Sequence, residues 1–183
     1  MSDLPVLKGT NVTLRRPSGA DAKARFALGR DAEIHRMFGG SRAQLAPLTL
    51  EQATTWLQSL QVRPFAWIIA CPNLIGEIRL DNLDPADRRA TLAVGIFDSQ
   101  KLGHGLGTEA MDLVLAYAFD RLGLHRIGVR VLSYNHRAIR AYERCGFVIE
   151  GTERQSAYVD GDWHDDVIMG LLAHEFERRA RAV

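Results

Sequence analysis

The sequence predicts a mixed α/β (α+β) fold, in which helices flank a sheet that holds strands of both directions. Three strand-like segments rich in apolar and β-branched residues follow one another before residue 98. Beyond that point, strand-like and helix-like segments alternate, an order typical of strands joined by helical connections. Together these two observations indicate a sheet of mixed strand directions.

The amino-terminal third is predicted to contain one strand and two helices, at residues 12–16, 20–28 and 49–60. Pro17 ends the strand. Thr49 and Gln52 have the spacing of a capping box, which begins the second helix. Residues 30–46 contain glycine and proline breakers nearby and give no clear prediction.

Alternation, β-branched runs and helical spacing predict the remaining elements. The predicted strands are residues 65–71, 74–80, 89–97, 126–132, a strand beginning at residue 147, and 167–172. The predicted helices are residues 108–122, 136–145 and a charged helix at the carboxyl end. Met111, Val114 and Leu115 recur at helical spacing in the first of these helices, and Gly123 stands at its carboxyl-terminal cap.

Composition indicates a globular chain, which we expect to form a single domain over residues 1–183. The 23 basic and 22 acidic side chains give a net charge of +1, which argues against a nucleic-acid or membrane-surface role driven by bulk charge. Cys71 and Cys145 belong to no CxxC pair, so we expect no metal. With no signal-peptide pattern and no apolar run of about 20 residues, a cytoplasmic protein is expected.

A loop with three closely spaced glycines separates the predicted strand 89–97 from the helix that follows it. Gly103, Gly105 and Gly107 leave backbone N–H groups unobstructed at the positive end of a helix dipole. This arrangement favours a phosphate or pyrophosphate site. The alternative is a turn that only lets strand and helix pack, since glycine is the usual residue of strained turns.

Two well-known phosphate-binding patterns do not fit this loop. A P-loop ends in Gly-Lys-Ser/Thr, whereas Gly107 is followed by Thr108 and Glu109. A dinucleotide-binding loop reads Gly-x-Gly-x-x-Gly, and neither frame here supplies the third glycine. That loop also follows the first strand of its fold, whereas this one follows four predicted strands.

Three motifs resemble those of the GNAT superfamily of N-acetyltransferases, most closely its RimJ/RimL-like branch. The first is the loop Gly103-His104-Gly105-Leu106-Gly107-Thr108-Glu109-Ala110, which is similar to the acyl-CoA pyrophosphate loop of that family. The second is residues 135–147, NHRAIRAYERCGF, and the third is Glu150-Gly151. Residues 74–78 and 163–172 also fit, so the resemblance spans nearly the whole chain.

The resemblance implies a twisted mixed sheet whose two central parallel strands splay apart around the cofactor, acetyl-CoA. It places Ile96, Phe97 and Asp98 at the pantetheine arm, where the strand ends. It assigns the pyrophosphate to the backbone N–H groups of Gly103, His104, Gly105, Leu106, Gly107 and Thr108. Arg137 or Arg140 would then reach the 3′-phosphate.

Two further residues have both a structural and a functional interpretation. By the resemblance, Asn135 contacts the cofactor near the pantetheine end, although an N-cap of the helix at 136 would also explain an asparagine there. Tyr142 falls where many members carry a tyrosine aimed at the coenzyme A sulfur. Its position on the apolar face of the same helix is equally that of a packed core tyrosine.

The resemblance does not identify a general base, the group that would take the proton from the amine. Some members of the family carry a glutamate on the strand before Asn135, and the aligned residue here is Arg130. Glu77 is a candidate base acting through water, and its alternative is a solvent-facing strand residue. Leu102 stands where the family often has a polar residue before the loop.

Several charged groups receive structural interpretations. We expect His164, Asp165 and Asp166 to form a polar turn before the last strand rather than a metal site. The arginines of the carboxyl-terminal half are expected to form a solvated face; they are Arg126, Arg130, Arg137, Arg140 and Arg144.

The resemblance implies an enzyme that transfers an acetyl group from acetyl-CoA to a primary amine by direct attack, without a cysteine nucleophile. Expected acceptors are a peptide N-terminus, a polyamine or an aminoglycoside-like amine, bound by residues 30–60 and 158–165. No nucleic-acid or membrane partner is expected, and dimers are common in the family. The alternatives are a non-catalytic acyl-CoA-binding or regulatory module and a transferase that prefers another acyl-CoA such as succinyl-CoA.

Overall fold

A computed structural model describes residues 4–181, in which eight strands form one sheet of order β1-β2-β3-β4-β5-β6-β8-β7. The strands are β1 (Leu7–Lys8), β2 (Thr13–Arg15), β3 (Ala66–Cys71), β4 (Asn73–Asp84), β5 (Arg89–Ile96), β6 (Arg126–Leu132), β7 (Val148–Val159) and β8 (Asp162–Leu172). The helices are α1 (Asp21–Leu28), α2 (Ala32–Met37), α3 (Leu50–Gln61), α4 (Leu106–Ala116), α5 (His136–Arg144) and α6 (Ala173–Arg181). A 3₁₀ turn at Ser99–Lys101 precedes α4, and a π-helical turn at Tyr117–Arg121 follows it.

The one parallel pair in this sheet is β5 with β6, and it is short. The two strands pair where Arg89, Ala90 and Thr91 face Arg126, Ile127 and Gly128. Beyond Thr91, β5 continues for five residues without a partner strand on that side within residues 4–181. The predicted mixed sheet with splayed parallel strands is thus confirmed, and the divergence leaves a gap in the middle of the sheet.

Helices cover both faces of the sheet. On one face, α4, α5 and α6 bury a large apolar cluster that includes Met111, Val114 and Tyr142 against Ile78 and Ile127. On the other face, α1 and α3 pack on a smaller cluster around Leu60, Ile68 and Leu74. The capping box predicted at the start of α3 is present, with Thr49 Oγ1 accepting from Gln52 N at 3.2 Å. The gap between β5 and β6 therefore has a wall of helices on each side.

The structure differs from the predicted elements in two regions. Residues 32–37, which carry no clear sequence pattern, form α2, whose N-cap Asp31 accepts from Glu33 N and Ile34 N. β7 and β8 form a hairpin far longer than the predicted strands, turning at Asp160 and Gly161 with φ of 54° and 95°. Most residues of β7 are exposed, so this strand lacks the alternation of buried and exposed positions that sequence patterns detect.

No helix of the described chain is long and apolar enough to span a lipid bilayer.

Candidate active site

A cleft of about 1050 Å³ lies where β5 and β6 diverge. One wall consists of the loop before α4, the first turn of α4 and one face of α5. The opposite wall consists of α1, α2, α3 and the part of β4 around Glu77. We call the first the loop wall and the second the helix-pair wall, after the packed helices α1 and α3. A cleft of this size accommodates an extended ligand between two walls of different chemistry.

The glycine loop has the backbone geometry of an anion site. Gly103 and Gly105 have φ of 80° and 76°, a region that side chains disfavour, and a Cβ at either would meet no atom within 4 Å. Gly105 is the N-cap of α4 and has no side chain to cap the helix. The N–H groups of the first helical turn therefore remain available as hydrogen-bond donors. Gly103, Gly105, Leu106, Gly107 and Thr108 all line the cleft. The helix begins at Leu106, two residues earlier than predicted.

Two residues assigned to the cofactor lie outside the cleft lining. His104 is exposed at the tip of the loop. The carboxylate of Asp98 accepts from Gln100 N at 3.0 Å and so caps the 3₁₀ turn. Because neither side chain lines the cleft, the loop faces the cleft mainly with backbone groups.

The end of β5 presents its backbone groups to alternate sides. Phe97 N and Asp98 N both point to Ile75 O, at 2.7 and 3.4 Å, which is a bulge at the end of the β4–β5 pair. Neighbouring residues of a strand direct their backbone groups to opposite edges. The backbone of Val94 and Ile96 therefore faces the gap, whereas the N–H groups of Phe97 and Asp98 do not. Phe97 still lines the cleft through its ring.

Four cationic side chains line the loop wall. Arg137, Arg140 and Arg144 lie on one face of α5 at spacings of three and four residues, and all three are exposed. Lys101 lies in the 3₁₀ turn beside the glycine loop. None of the four forms an ion pair within residues 4–181. The exposure of the three arginines agrees with the predicted solvated face, and a stripe of like charges beside the glycine loop favours a polyanionic ligand.

Tyr142 combines burial with an unsatisfied hydroxyl. The residue is 6% exposed, its ring contacts Phe147 edge-on with centroids 5.6 Å apart, and it lines the cleft. No group among the described residues forms a hydrogen bond with its Oη. Burial, reinforced by Cys145, raises the pKa of Tyr142 to about 12, so the hydroxyl keeps its proton at neutral pH. The residue is thus a core tyrosine that also lines the cleft and keeps its hydroxyl proton.

Asn135 caps α5 and also holds α2. Its Oδ1 accepts from Ala138 N at 3.2 Å, and its Nδ2 donates to Met37 O at 3.3 Å. The neighbouring Tyr134 donates from its hydroxyl to Arg36 O at 2.7 Å. The cap interpretation is therefore correct for Asn135, which lines the cleft as well. These bonds fix the carboxyl end of α2 above the gap.

Glu77 is buried in the helix-pair wall, so the solvent-facing alternative was wrong. It is 8% exposed, and its two oxygens accept from Trp56 Nε1 and Arg79 Nη1. Glu77 pairs with Gly95 across the β4–β5 ladder, where Phe38 from the end of α2 packs against the glycine. The carboxylate therefore lies beside the divergence of the strands, under Trp56 and close to Phe38.

The two segments expected to bind the acceptor meet in space. Arg42 N donates to Asp160 Oδ1 at 2.8 Å, which joins the loop after α2 to the turn of the β7–β8 hairpin. Ser41 and Arg42 hold the pKa of the Asp160 carboxyl below its ordinary value. Residues of α2 and α3 line the cleft, whereas the hairpin contributes Ala157 and Asp166.

Several other charged side chains lie in a different environment from the one predicted. His164, Asp165 and Asp166 lie within β8 rather than in a turn. Asp166 is 4% exposed and is bound by Arg130 at 3.3 Å and by Ser156 Oγ at 2.8 Å. Arg126 forms a two-bond pair with Glu150, so neither it nor Arg130 belongs to a free solvated face. No cluster of potential metal ligands occurs among residues 4–181.

Sequence reasoning missed three residues of the helix-pair wall: Arg25, Trp56 and Phe38. Arg25 belongs to a helix with no motif, and its guanidinium lies 4.3 Å from the centre of the Phe97 ring. Trp56 meets that ring edge-on, with centroids 5.8 Å apart. One signal was available for Trp56, since an aromatic residue on a mostly polar helix often marks a packing or binding face.

Comparison with known proteins identifies the family. A family model described as "Acetyltransferase (GNAT) domain" matches residues 11–148. The chain is 29% identical to an uncharacterized N-acetyltransferase, YoaA, of Bacillus subtilis (strain 168), over 92% of this chain and 97% of that relative. It is 31% identical to spermidine N(1)-acetyltransferase of Vibrio cholerae, over 59% of this chain and 62% of that relative.

A solved structure gives the same result for the fold. A protein of T. thermophilus, which carries a provisional acetyltransferase name, aligns with a TM-score of 0.82 and 28% identity, over 99% of this chain and 97% of that chain. The gap, the glycine loop and the buried tyrosine occupy one cleft, and the family match covers all three. The chain belongs to the GNAT acetyltransferase family and transfers an acetyl group from acetyl-CoA to an amine.

Proposed function

We propose that acetyl-CoA enters the gap between β5 and β6 along the loop wall, and that Tyr142 protonates the departing sulfur. The observation that carries this proposal is the unpartnered Tyr142 hydroxyl, which faces the same cleft as the glycine loop. The amine acceptor approaches from the helix-pair wall. The reaction is direct transfer, and neither Cys71 nor the buried Cys145 lines the cleft.

The loop wall suits the phosphates of coenzyme A. The free N–H groups at the start of α4 bind a pyrophosphate through hydrogen bonds to its oxygens, assisted by the positive end of the helix. Lys101, Arg137 and Arg140 supply the compensating charge that His104, outside the lining, does not. The backbone of Val94 and Ile96, which has no strand partner toward β6, binds the pantetheine arm.

The chemistry requires two proton movements. The acceptor nitrogen attacks the thioester carbon, a C–N bond forms, and the C–S bond breaks. Backbone N–H groups of β5 in the gap stabilise the oxyanion that develops on the carbonyl oxygen. Tyr142 gives its proton to the sulfur as the C–S bond breaks, so the leaving group departs as a neutral thiol. The hydroxyl then regains a proton from solvent.

Glu77 is the candidate acceptor of the amine's proton. Its burial beside Gly95 supports this role, because the amine is proposed to approach from the helix-pair wall. Because both oxygens already accept hydrogen bonds, we propose that the proton passes through a water molecule rather than directly. Arg130, which occupies the position of a glutamate in some relatives, pairs with Glu153 and Asp166 and takes no part in this transfer.

The test is a calorimetric titration with acetyl-CoA, followed by a thiol-release assay with amines of each class: amino acids, peptide N-termini, polyamines and aminoglycosides. We expect binding, and thiol release that depends on one class of amine. Binding without release from any amine would favour a regulatory acyl-CoA-binding module instead. Succinyl-CoA competes in the same assay, and equal turnover of both thioesters would contradict the acetyl preference.

We also propose a single domain over residues 1–183, membership of the RimJ/RimL-like branch, a cytoplasmic location and a homodimer. For the last, the β7–β8 hairpin offers a surface, since the rings of Tyr158 and Trp163 contact each other, with centroids 5.1 Å apart, and remain largely exposed. Light scattering of the wild type and of a Trp163→Ser variant tests it. A monomeric mass for the wild type at assay concentration would refute the dimer.

A further inference from the structure

The helix-pair wall carries an excess of positive charge. Arg25, Arg30 and Arg79 line it, against the single carboxylate of Glu77. The charge of Arg79 is compensated, because its guanidinium forms ion pairs with Glu77 and with Asp81, the latter at 2.7 Å. The other two guanidinium groups, of Arg25 and Arg30, form no ion pair within residues 4–181, and they line the wall from which the acceptor is proposed to enter.

Arg25 and Arg30 are held in place by neutral groups. Arg25 Nη1 donates to Gly29 O at 2.6 Å, and its guanidinium stacks on the Phe97 ring. Arg30 donates to Ala46 O at 3.1 Å and to Gln52 Oε1 at 3.2 Å. Neither forms an ion pair with any carboxylate in the described part of the chain. These bonds fix the orientation of both side chains while leaving their charges uncompensated.

The electrostatic environment of the pair is unfavourable without a ligand. Burial lowers the pKa of Arg25, and the charge of Arg30 lowers it further, against a smaller opposing effect of Glu77. The Arg25 guanidinium nevertheless stays charged at neutral pH, because an arginine side chain does not lose its proton in a protein. Half-buried like charges repel each other, so a bound anion between them would relieve that repulsion.

The pair lies close to the reacting centre. Phe97, on which Arg25 stacks, follows Gly95 by two residues and therefore lies on the same face of β5, about 7 Å further along. Gly95 is the residue beside Glu77 and Phe38. A short molecule can therefore place an amine at the gap and an anionic group at the arginines.

We infer that the acceptor is a small amine that also carries an oxyanion, a carboxylate or a phosphate, bound by Arg25 and Arg30. This inference rests on the acetyl transfer proposed above. The planar guanidinium group donates two parallel hydrogen bonds to either kind of oxyanion. A polyamine is disfavoured at this wall, since its second ammonium would meet two unpaired cations.

The experiment measures thiol release with pairs of amines that differ in the anionic group. The pairs are L-amino acids with their amides, and O-phosphoethanolamine with ethanolamine; spermidine and a peptide amide complete the panel. The amine of an amino-acid amide is a weaker base than the amine of the free amino acid, so a larger fraction of it is neutral at pH 7.5. Intrinsic reactivity therefore favours the amide. We expect one oxyanion-bearing amine to exceed its neutral counterpart at least about tenfold in kcat/KM. The preferred pair identifies carboxylate or phosphate.

Variants assign that preference to the two arginines. Arg25→Gln and Arg30→Gln should each lower kcat/KM for the oxyanion-bearing amine by about 10- to 100-fold, with little effect on its neutral counterpart. Lys23→Gln is the matched control, because it removes a cation from the exposed side of α1. Arg25→Lys, which keeps the charge but not the fork, should recover part of the activity. Thermal melting verifies that each variant is folded.

Three results would overturn the inference while leaving acetyl transfer established. A neutral amine or spermidine could be the best substrate. The preference could persist in the Arg25→Gln/Arg30→Gln double variant. The substitutions could raise KM for acetyl-CoA instead, which would assign the arginines to the coenzyme phosphates. An absence of thiol release with every amine of the panel would refute the proposed transferase together with the inference.

Discussion

The two walls of the cleft are built in different ways. The loop wall comes from two short stretches of chain, the glycine loop with α4 and the helix α5, and uses mostly backbone groups and one exposed arginine face. The helix-pair wall assembles side chains from α1, α2, α3 and β4, which are far apart in the sequence. The first wall suits the constant phosphates of a co-substrate. The second can be altered by single side-chain changes, which suits a wall that determines the acceptor.

The largest effect is expected from Gly105→Val. The residue lines the cleft and has φ of 76°, so a valine strains the loop that we propose binds the phosphates. Loss of about two charge-assisted hydrogen bonds should weaken acetyl-CoA binding at least about 100-fold, measured by calorimetry. Gly123→Val is the control, because Gly123 has φ of 64° and open space around it but lies outside the cleft. Equal losses in both variants would mean that strain alone acts.

Tyr142→Phe should lower kcat by about 100-fold and leave the binding of acetyl-CoA nearly unchanged, since only the proton donor is removed. Because burial raises the pKa of Tyr142 to about 12, the wild-type rate should rise as the amine deprotonates and show no decline below about pH 10. Rapid-mixing kinetics across pH measure both. Tyr158→Phe, which removes the hydroxyl of an exposed tyrosine, should leave kcat unchanged. An unchanged rate in the Tyr142 variant would remove it from the mechanism.

Glu77→Gln should reduce kcat about tenfold, because the amide retains the shape but cannot accept the amine's proton. Asp81→Asn provides the control, since Asp81 also binds Arg79 but does not line the cleft. If the two variants lose the same activity, Glu77 acts only by positioning Arg79.

The smallest effect on activity is expected from Asp21→Asn, which changes stability instead. Asp21 is 2% exposed and accepts from Arg15 at 2.6 and 2.8 Å and from Ser18, tying α1 to β2. Burial acts to raise the pKa of this carboxyl, but the hydrogen bonds from Arg15 and Ser18 outweigh it and hold the pKa below its ordinary value. The substitution should cost about 2 kcal/mol of unfolding free energy at pH 7.

The pH dependence of that loss follows from the direction of the shift. A carboxyl whose pKa is lower in the folded state stabilises the fold above its unfolded pKa of about 3.9 and ceases to do so as pH falls through the folded value. Denaturation of the wild type and the Asp21 variant should therefore converge in acid. Asp87→Asn, in an exposed pair with Arg89, should change stability by less than about 0.5 kcal/mol. A difference that persists at pH 2 would contradict this assignment.

The sequence predicted the loop wall because its chemistry is local. Gly103 and Gly105 adopt positive φ, Asn135 caps α5, and Tyr142 lies about two helical turns beyond that cap. All four residues belong to short motifs whose spacing is set locally. The helix-pair wall could not be predicted in this way. Glu77 was identified, but its burial depends on Trp56 above it, and a sequence pattern does not show which helix covers which strand.

The sequence by itself determined the mixed sheet and the glycine loop, because alternation, helical spacing and glycine conformation are properties of short segments. The family followed from the resemblance of three short motifs to those of known proteins. The tertiary structure decided which donors of β5 face the gap, since the bulge opposite Ile75 turns Phe97 N and Asp98 N toward β4. It also decided that Arg126 and Arg130 are paired while Arg25 and Arg30 are not. Charge compensation depends on distances between residues remote in the chain, and only folding sets those distances.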